Sequence, residues 1–197
     1  MTASTDPSPA VQHTPRSTET LPDIASEVIA LLRAANQTVG VAESLTAGGV
    51  MAALTSVPGA SAAFRGGVVS YATELKRTLL GVDAALIARE GVIHADVAAQ
   101  MAQGARRATS THQVETEEEG RETTWGIGTT GVAGPDQQDG KAVGTVYIGI
   151  ASAEGSRAYG PFMFPGPRER VREATVAEAL ARLREVLVAA KVERAGV

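Results

Sequence analysis

The stretch from Val41 to Gly81, VAESLTAGGVMAALTSVPGASAAFRGGVVSYATELKRTLLG, constrains the fold more than any other part of the sequence. A short apolar run over 38–42 reads as a buried strand that stops on Glu43-Ser44. A turn of small residues then leads into a helix expected over 46–54. Its Gly and Ala content requires close packing against a neighbour, and Pro58-Gly59 breaks it. Residues 66–71 read as a second strand. Thr73 can cap a helix reaching Leu80, with Gly81 at its end. Two such strands ending side by side would bring Ser44, Tyr71 and Lys76 to one sheet edge.

The rest of the chain alternates in the same way. Residues 1–21, rich in Ser, Thr and Pro, cannot bury a core and are expected to form a disordered tail ahead of a single domain over 22–192. Asp23 is expected to open a helix carrying Ile24, Val28, Leu31, Leu32 and Ala35 on one face. A short helix follows over 84–89. A longer one over 95–109 has Val97, Met101, Ala105 and Ala108 inward. Residues 111–124, with Glu117, Glu118 and Glu119 in a row, read as an exposed acidic insertion. A strand over 125–130, a glycine-rich loop over 131–140 and strands over 143–152 and 157–164, turning on Glu154-Gly155, come next. An amphipathic helix over 167–191 closes the domain. Single strands between helices, then one hairpin, give an α/β domain with a mixed sheet.

Composition narrows the function. The chain has 197 residues, enough for one substantial core, and a net charge of −4 with no basic block, so no nucleic-acid partner is expected. It has no cysteine, which excludes disulfides, thiolate metal sites and cysteine nucleophiles. No apolar run is long enough to span a bilayer, and residues 1–20 lack the basic-then-apolar pattern of a secretory leader. The expected location is therefore the cytoplasm, with no membrane partner.

The three histidines are His13 in the tail, His112 in the acidic segment and His94 at a loop-to-helix junction, where a cap or surface residue is a better reading than a base. A Ser-His-Asp triad is thus not expected, and no G-x-S-x-G elbow, H-E-x-x-H pair or S-x-x-K spacing is present. No metal site is expected. Gly126-x-Gly128-x-x-Gly131 matches the dinucleotide-binding spacing, but Pro135 stands where a helix should start, so a glycine-rich turn near a ligand is the better reading. Taken singly, Ser44 reads as a helix N-cap, Lys76 as a solvated helix residue and Tyr71 as a half-buried strand residue.

Taken together they resemble a known set. Glu43-Ser44-Leu45-Thr46-Ala47-Gly48 resembles the E-S-C-T-G-G segment of the CinA C-terminal family, the nicotinamide-nucleotide amidases. Ser70-Tyr71-Ala72-Thr73-Glu74-Leu75-Lys76 resembles its T-Y-S-N-x-x-K segment. Thr130-Gly131-Val132-Ala133-Gly134-Pro135 resembles S-G-I-A-G-P, and Gly166-Pro167-Arg168 with Val171-Arg172 resembles G-D-R-x-x-V-R. The segments follow the family's order over about 23–190. Leu45, Ala47, Thr130 and Ala142 depart from the usual Cys, Gly, Ser and Pro.

The resemblance implies a three-layer α/β/α domain with a five-stranded mixed sheet, no cofactor, and a homodimer or higher homo-oligomer. It also implies a small-molecule nucleotide substrate, nicotinamide mononucleotide, whose carboxamide is hydrolysed to the acid and ammonia. Ser44 is then the nucleophile, with Lys76 or Tyr71 as the base. Glu43, Thr46, Gly48, Thr130, Gly131, Gly134 and Arg168 become candidate substrate-binding residues. Arg168 is the candidate for the phosphate, although a first-turn surface arginine would look the same. A non-catalytic nucleotide-binding or regulatory module is the alternative, since the glycine loop and Arg168 would serve it equally well.

Overall fold

The computed structural model describes residues 11–12, 19–111 and 121–196. Most of the N-terminal tail and the centre of the acidic insertion, residues 112–120, lie outside the described residues. The elements, in order, are β1 (Val11–Gln12), α1 (Leu21–Ala34), β2 (Val39–Glu43), α2 (Gly49–Thr55), β3 (Phe64–Val69), α3 (Thr73–Thr78), α4 (Ala84–Glu90), α5 (Ala95–Thr109), β4 (Trp125–Gly131), β5 (Thr145–Ser152), β6 (Gly155–Met163) and α6 (Arg168–Ala195). The sheet runs β1-β6-β5-β4-β2-β3. β3, β2 and β4 are parallel, and β5 and β6 are antiparallel to their predecessors. Strands β2 to β6 make the expected five-stranded mixed sheet. The two residues of β1 pair parallel to β6 and add a sixth strand, so the tail is not structureless at Val11-Gln12.

Helices α1, α2 and α6 cover one face and α5 covers the other. β2 and β4 are therefore buried at every position, which a strand under helices on both faces must be. The main core lies under α1 and α6, with Ile29, Leu32, Ile127, Ile148, Leu180 and Leu183 nearly inaccessible. A second cluster, including Leu80, Val82, Leu86, Val97 and Met101, lies under α5.

Several boundaries differ from the sequence expectations for local reasons. α1 starts at Leu21 rather than Asp23. Thr20 caps it, and Asp23, three residues in, completes a reciprocal capping box. Thr73 is the first residue of α3 rather than its cap. Ala108 is exposed, because the buried stripe of α5 ends at Ala105. The hairpin turns on Ala153-Glu154, one residue early. His94 does cap α5, accepting the Asp96 N–H at 3.2 Å.

The G-x-G-x-x-G spacing has a structural origin that sequence reading missed. Gly126 and Gly128 lie within β4 on the face covered by α5, not in a turn. A Cβ on Gly126 would sit 2.0 Å from the Ala102 carbonyl oxygen, and one on Gly128 would sit 2.4 Å from that of Ala98. Gly149, opposite Gly128 on β5, meets the same Ala98 oxygen at 2.1 Å. The helix backbone thus rests directly on the sheet, and no flexible side chain can move aside. Gly128→Ala is expected to lower the unfolding free energy by about 1–3 kcal/mol through overpacking. Denaturant titration with an unchanged m-value checks this.

Candidate active site

The site is built where β2 and β3 end together. The parallel register pairs Glu43 with Val69, so Ser44 and Ser70 leave the sheet side by side. The Ser70 N–H donates to the Glu43 carbonyl at 2.9 Å. The turn after β2 is then folded around the Glu43 side chain. That carboxylate is fully buried and accepts the backbone N–H groups of Gly48 (2.9 Å), Val50 (3.2 Å) and Met51 (2.9 Å). These are the orphan donors at the start of α2, and an internal carboxylate satisfies them. The chain closes this loop through two left-handed residues, Ala47 (φ 50°) and Gly48 (φ 96°).

Three expectations change as a result. The helix begins at Gly49 and its N-cap is Gly48, so Ser44 is not the cap. Glu43 and Gly48 are engaged with each other rather than with a ligand. Thr46 is buried, shares a 2.8 Å hydroxyl hydrogen bond with Thr129, and accepts Arg172 Nη2 on its carbonyl at 3.1 Å. Thr130 is likewise internal, its hydroxyl donating to the Val92 carbonyl at 2.7 Å. All four shape the site from behind and do not line it.

What the turn leaves exposed is the Ser44 hydroxyl. Lys76, in the second turn of α3, donates to Ser44 Oγ at 3.0 Å, to the Ser70 carbonyl at 2.7 Å and to the Tyr71 carbonyl at 3.4 Å. Only 1% of Lys76 is exposed, so the solvated reading does not hold. Burial pulls its pKa from 10.5 down to about 8, against the opposing pull of Asp139 and Glu74. Tyr71 does not cover the lysine. The residue is more than half exposed, just past the end of β3, and its hydroxyl accepts Arg168 Nη2 at 2.9 Å. Arg168 also donates to the Gly134 carbonyl at 2.9 Å, joining the glycine loop to Tyr71 across the mouth of the site.

A cavity of about 230 Å³ opens here. Of the sequence-predicted residues it is lined by Ser44, Tyr71, Lys76, Gly131, Gly134 and Arg168. Asp136, Gln138, Val92 and Ile93 were not anticipated and also line it, beside Leu45, Val132 and Ala133 of the anticipated segments. The first two lie in the glycine loop, where polar residues beside the close-approach glycines were the available signal. Val92 and Ile93 carry no chemical signature.

The sequence model of the CinA C-terminal domain matches residues 21–187. The chain belongs to the CinA C-terminal domain family. Among CinA-like proteins it is 45% identical over 160 residues to one from Frankia casuarinae and 42% identical over 168 residues to one from Parasynechococcus marenigrum. Those matches cover 81% and 84% of this chain but only 34% and 37% of the relatives, so the chain spans about a third of their length. Among solved structures it resembles the competence/damage inducible protein CihA from Agrobacterium tumefaciens, with a TM-score of 0.74 and 29% identity over 85% of this chain and 94% of that one. It also resembles a CinA superfamily protein from Klebsiella pneumoniae, with a TM-score of 0.76 and 26% identity over 86% and 99%.

The buried lysine has a measurable consequence for stability. Its folded pKa lies below the unfolded value, so between about pH 8 and 10.5 the unfolded chain binds more protons. Stability linked to Lys76 should therefore rise with pH across that window. Denaturation of wild type and Lys76→Met at pH 7 and pH 10 should show the wild type gaining on the variant. A constant difference would mean that the folded protein leaves the lysine unperturbed.

Proposed function

We propose that the protein hydrolyses the carboxamide of nicotinamide mononucleotide, giving nicotinate mononucleotide and ammonia. The observation that carries this reading is the 3.0 Å hydrogen bond between Ser44 Oγ and a buried lysine at the wall of a cavity. A serine needs a base to attack an amide, and an amine with a pKa of about 8 is neutral in about a tenth of molecules at pH 7. Pure binding has no need of such a pair.

In the proposed sequence, neutral Lys76 takes the Ser44 proton as Oγ bonds to the carboxamide carbon. The C–N electron pair leaves with the amide nitrogen, which receives that proton from Lys76 and departs as ammonia. The resulting ester is opened by a water molecule that Lys76 deprotonates, and Ser44 recovers its proton. The backbone N–H of Leu45, the residue after the nucleophile and one that lines the cavity, is the candidate donor for the oxyanion in this scheme. The start of α2 is not available for that purpose, because Glu43 occupies it. Arg168, the first residue of the uncapped helix α6, stands at the mouth and suits the phosphate. Tyr71 orients Arg168 in this scheme, and Lys76 is the base.

Ser44→Ala should keep the fold and lose ammonia release by several orders of magnitude, because the covalent step disappears. Calorimetry should still detect nucleotide binding by the variant. Nucleotide binding by wild type without ammonia release would favour the non-catalytic binding module instead.

The rate should rise with pH along a limb near pH 8, the value for Lys76. Lys76→Arg should be nearly as inactive as Lys76→Met, since arginine does not release its proton. An active Lys76→Arg with an unchanged profile would move the base to Tyr71 or to a water beside it.

A further inference from the structure

Opposite Ser44 and Lys76 the cavity has two walls that are distant in sequence. One is the glycine loop between β4 and β5, contributing Gly131 to Gly134, Asp136 and Gln138. The other is the connection between α4 and α5, contributing Val92 and Ile93. Asp139 joins them. Its carboxylate accepts the Val92 N–H at 2.7 Å, across 47 positions of sequence. Asp139 and Gly140, with φ of 51° and 69°, form the tip of a tight turn. Gln138 and Lys141 close that turn by exchanging backbone hydrogen bonds at 3.2 and 2.8 Å. A left-handed conformation at a non-glycine residue is rare, and aspartate is among the few residues that accept it.

The receiving side is shaped to match. Gly91, at the end of α4, has φ 75°, and a Cβ there would lie 2.5 Å from Asp139 Oδ2. The carboxylate thus fills the space that any other residue at 91 would occupy. From behind, Thr130 donates to the Val92 carbonyl. Val92 is therefore held on its N–H by the loop tip and on its carbonyl by β4.

We propose that Asp139 is a positioning residue, fastening the tip of the glycine loop to the α4–α5 connection and so setting the width of the cavity that receives the substrate. The assignment of a substrate to this cavity rests on the amidase reading. The charge of the same carboxylate also acts on Lys76 and favours its ammonium form. The other charged or polar groups that face Lys76 are Glu74 on its own helix, the Ser44 hydroxyl, and the Ser70 and Tyr71 carbonyls. Asp136 and Arg168 line the same cavity.

Two variants separate the latch from the charge. Asp139→Ala removes both. It should speed hydrogen exchange at the Val92 amide and raise KM, with kcat/KM falling roughly ten- to a hundredfold, as misplacement of a binding wall does. Asp139→Asn keeps an oxygen acceptor for Val92 and removes the charge. It should retain slow exchange and a near-normal KM, while the rising limb of the pH–rate profile moves to lower pH. An unchanged KM and slow Val92 exchange in a well-folded Asp139→Ala would overturn the positioning role. A pH limb that stays in place in Asp139→Asn would overturn the effect on Lys76. Amide exchange needs no substrate, so a wild-type protein that releases no ammonia would sink the amidase reading while the latch is still judged at Val92.

Discussion

The buried carboxylate of Glu43 is the interaction on which the site depends. An ionised group in a dry interior is costly unless it is fully hydrogen-bonded, and the start of a helix is costly unless its N–H groups are satisfied. Each problem solves the other here, with three backbone donors converging on one side chain. The solution is local in sequence but works only because β2 delivers Glu43 into the protein between two helical layers. The Thr46–Thr129 hydroxyl pair and the contact from Arg172 hold the rest of the turn. Ser44, which faces the cavity from this segment, inherits a backbone held on both sides.

Lys76 depends on the same junction. Its ammonium head is held by the carbonyls of Ser70 and Tyr71, which emerge beside Ser44 because β2 and β3 are parallel and in register. Burial disfavours its charge, while Asp139 and Glu74 favour it, and burial is the larger effect. The result is an amine that can accept a proton near neutral pH, with no histidine among the described residues that line the cavity. A lysine this buried is a poor contributor to stability when charged.

The glycines show how one sequence signal can have two physical origins. Gly131 and Gly134 line the cavity, as close approach to a ligand would require. Gly126, Gly128 and Gly149 have the same composition but make room for the α5 backbone. The spacing that mimics a phosphate-binding loop is the two-residue period of a strand whose one face is pressed by a helix. Only the pairing of β4 with β5 beneath α5 distinguishes the two cases.

By itself the sequence determined the alternation of helices and strands, the final hairpin, the family, and the gathering of Ser44, Tyr71 and Lys76 at one sheet edge, to which the family's motifs added the glycine loop and Arg168. These follow from periodicity and from motif order, which are properties of the chain alone. Tertiary structure decided the roles of individual polar residues. Glu43, Thr46, Gly48 and Thr130 look like ligand contacts in a motif, yet their hydrogen bonds are made inside the protein. Tyr71 turned outward to Arg168, and Asp139, unmarked in sequence, became a tie between cavity walls. The physical reason is that a polar group's function depends on which partner satisfies it. For Thr46, Thr130 and Asp139 that partner lies 38 to 83 positions away, beyond the reach of any local pattern.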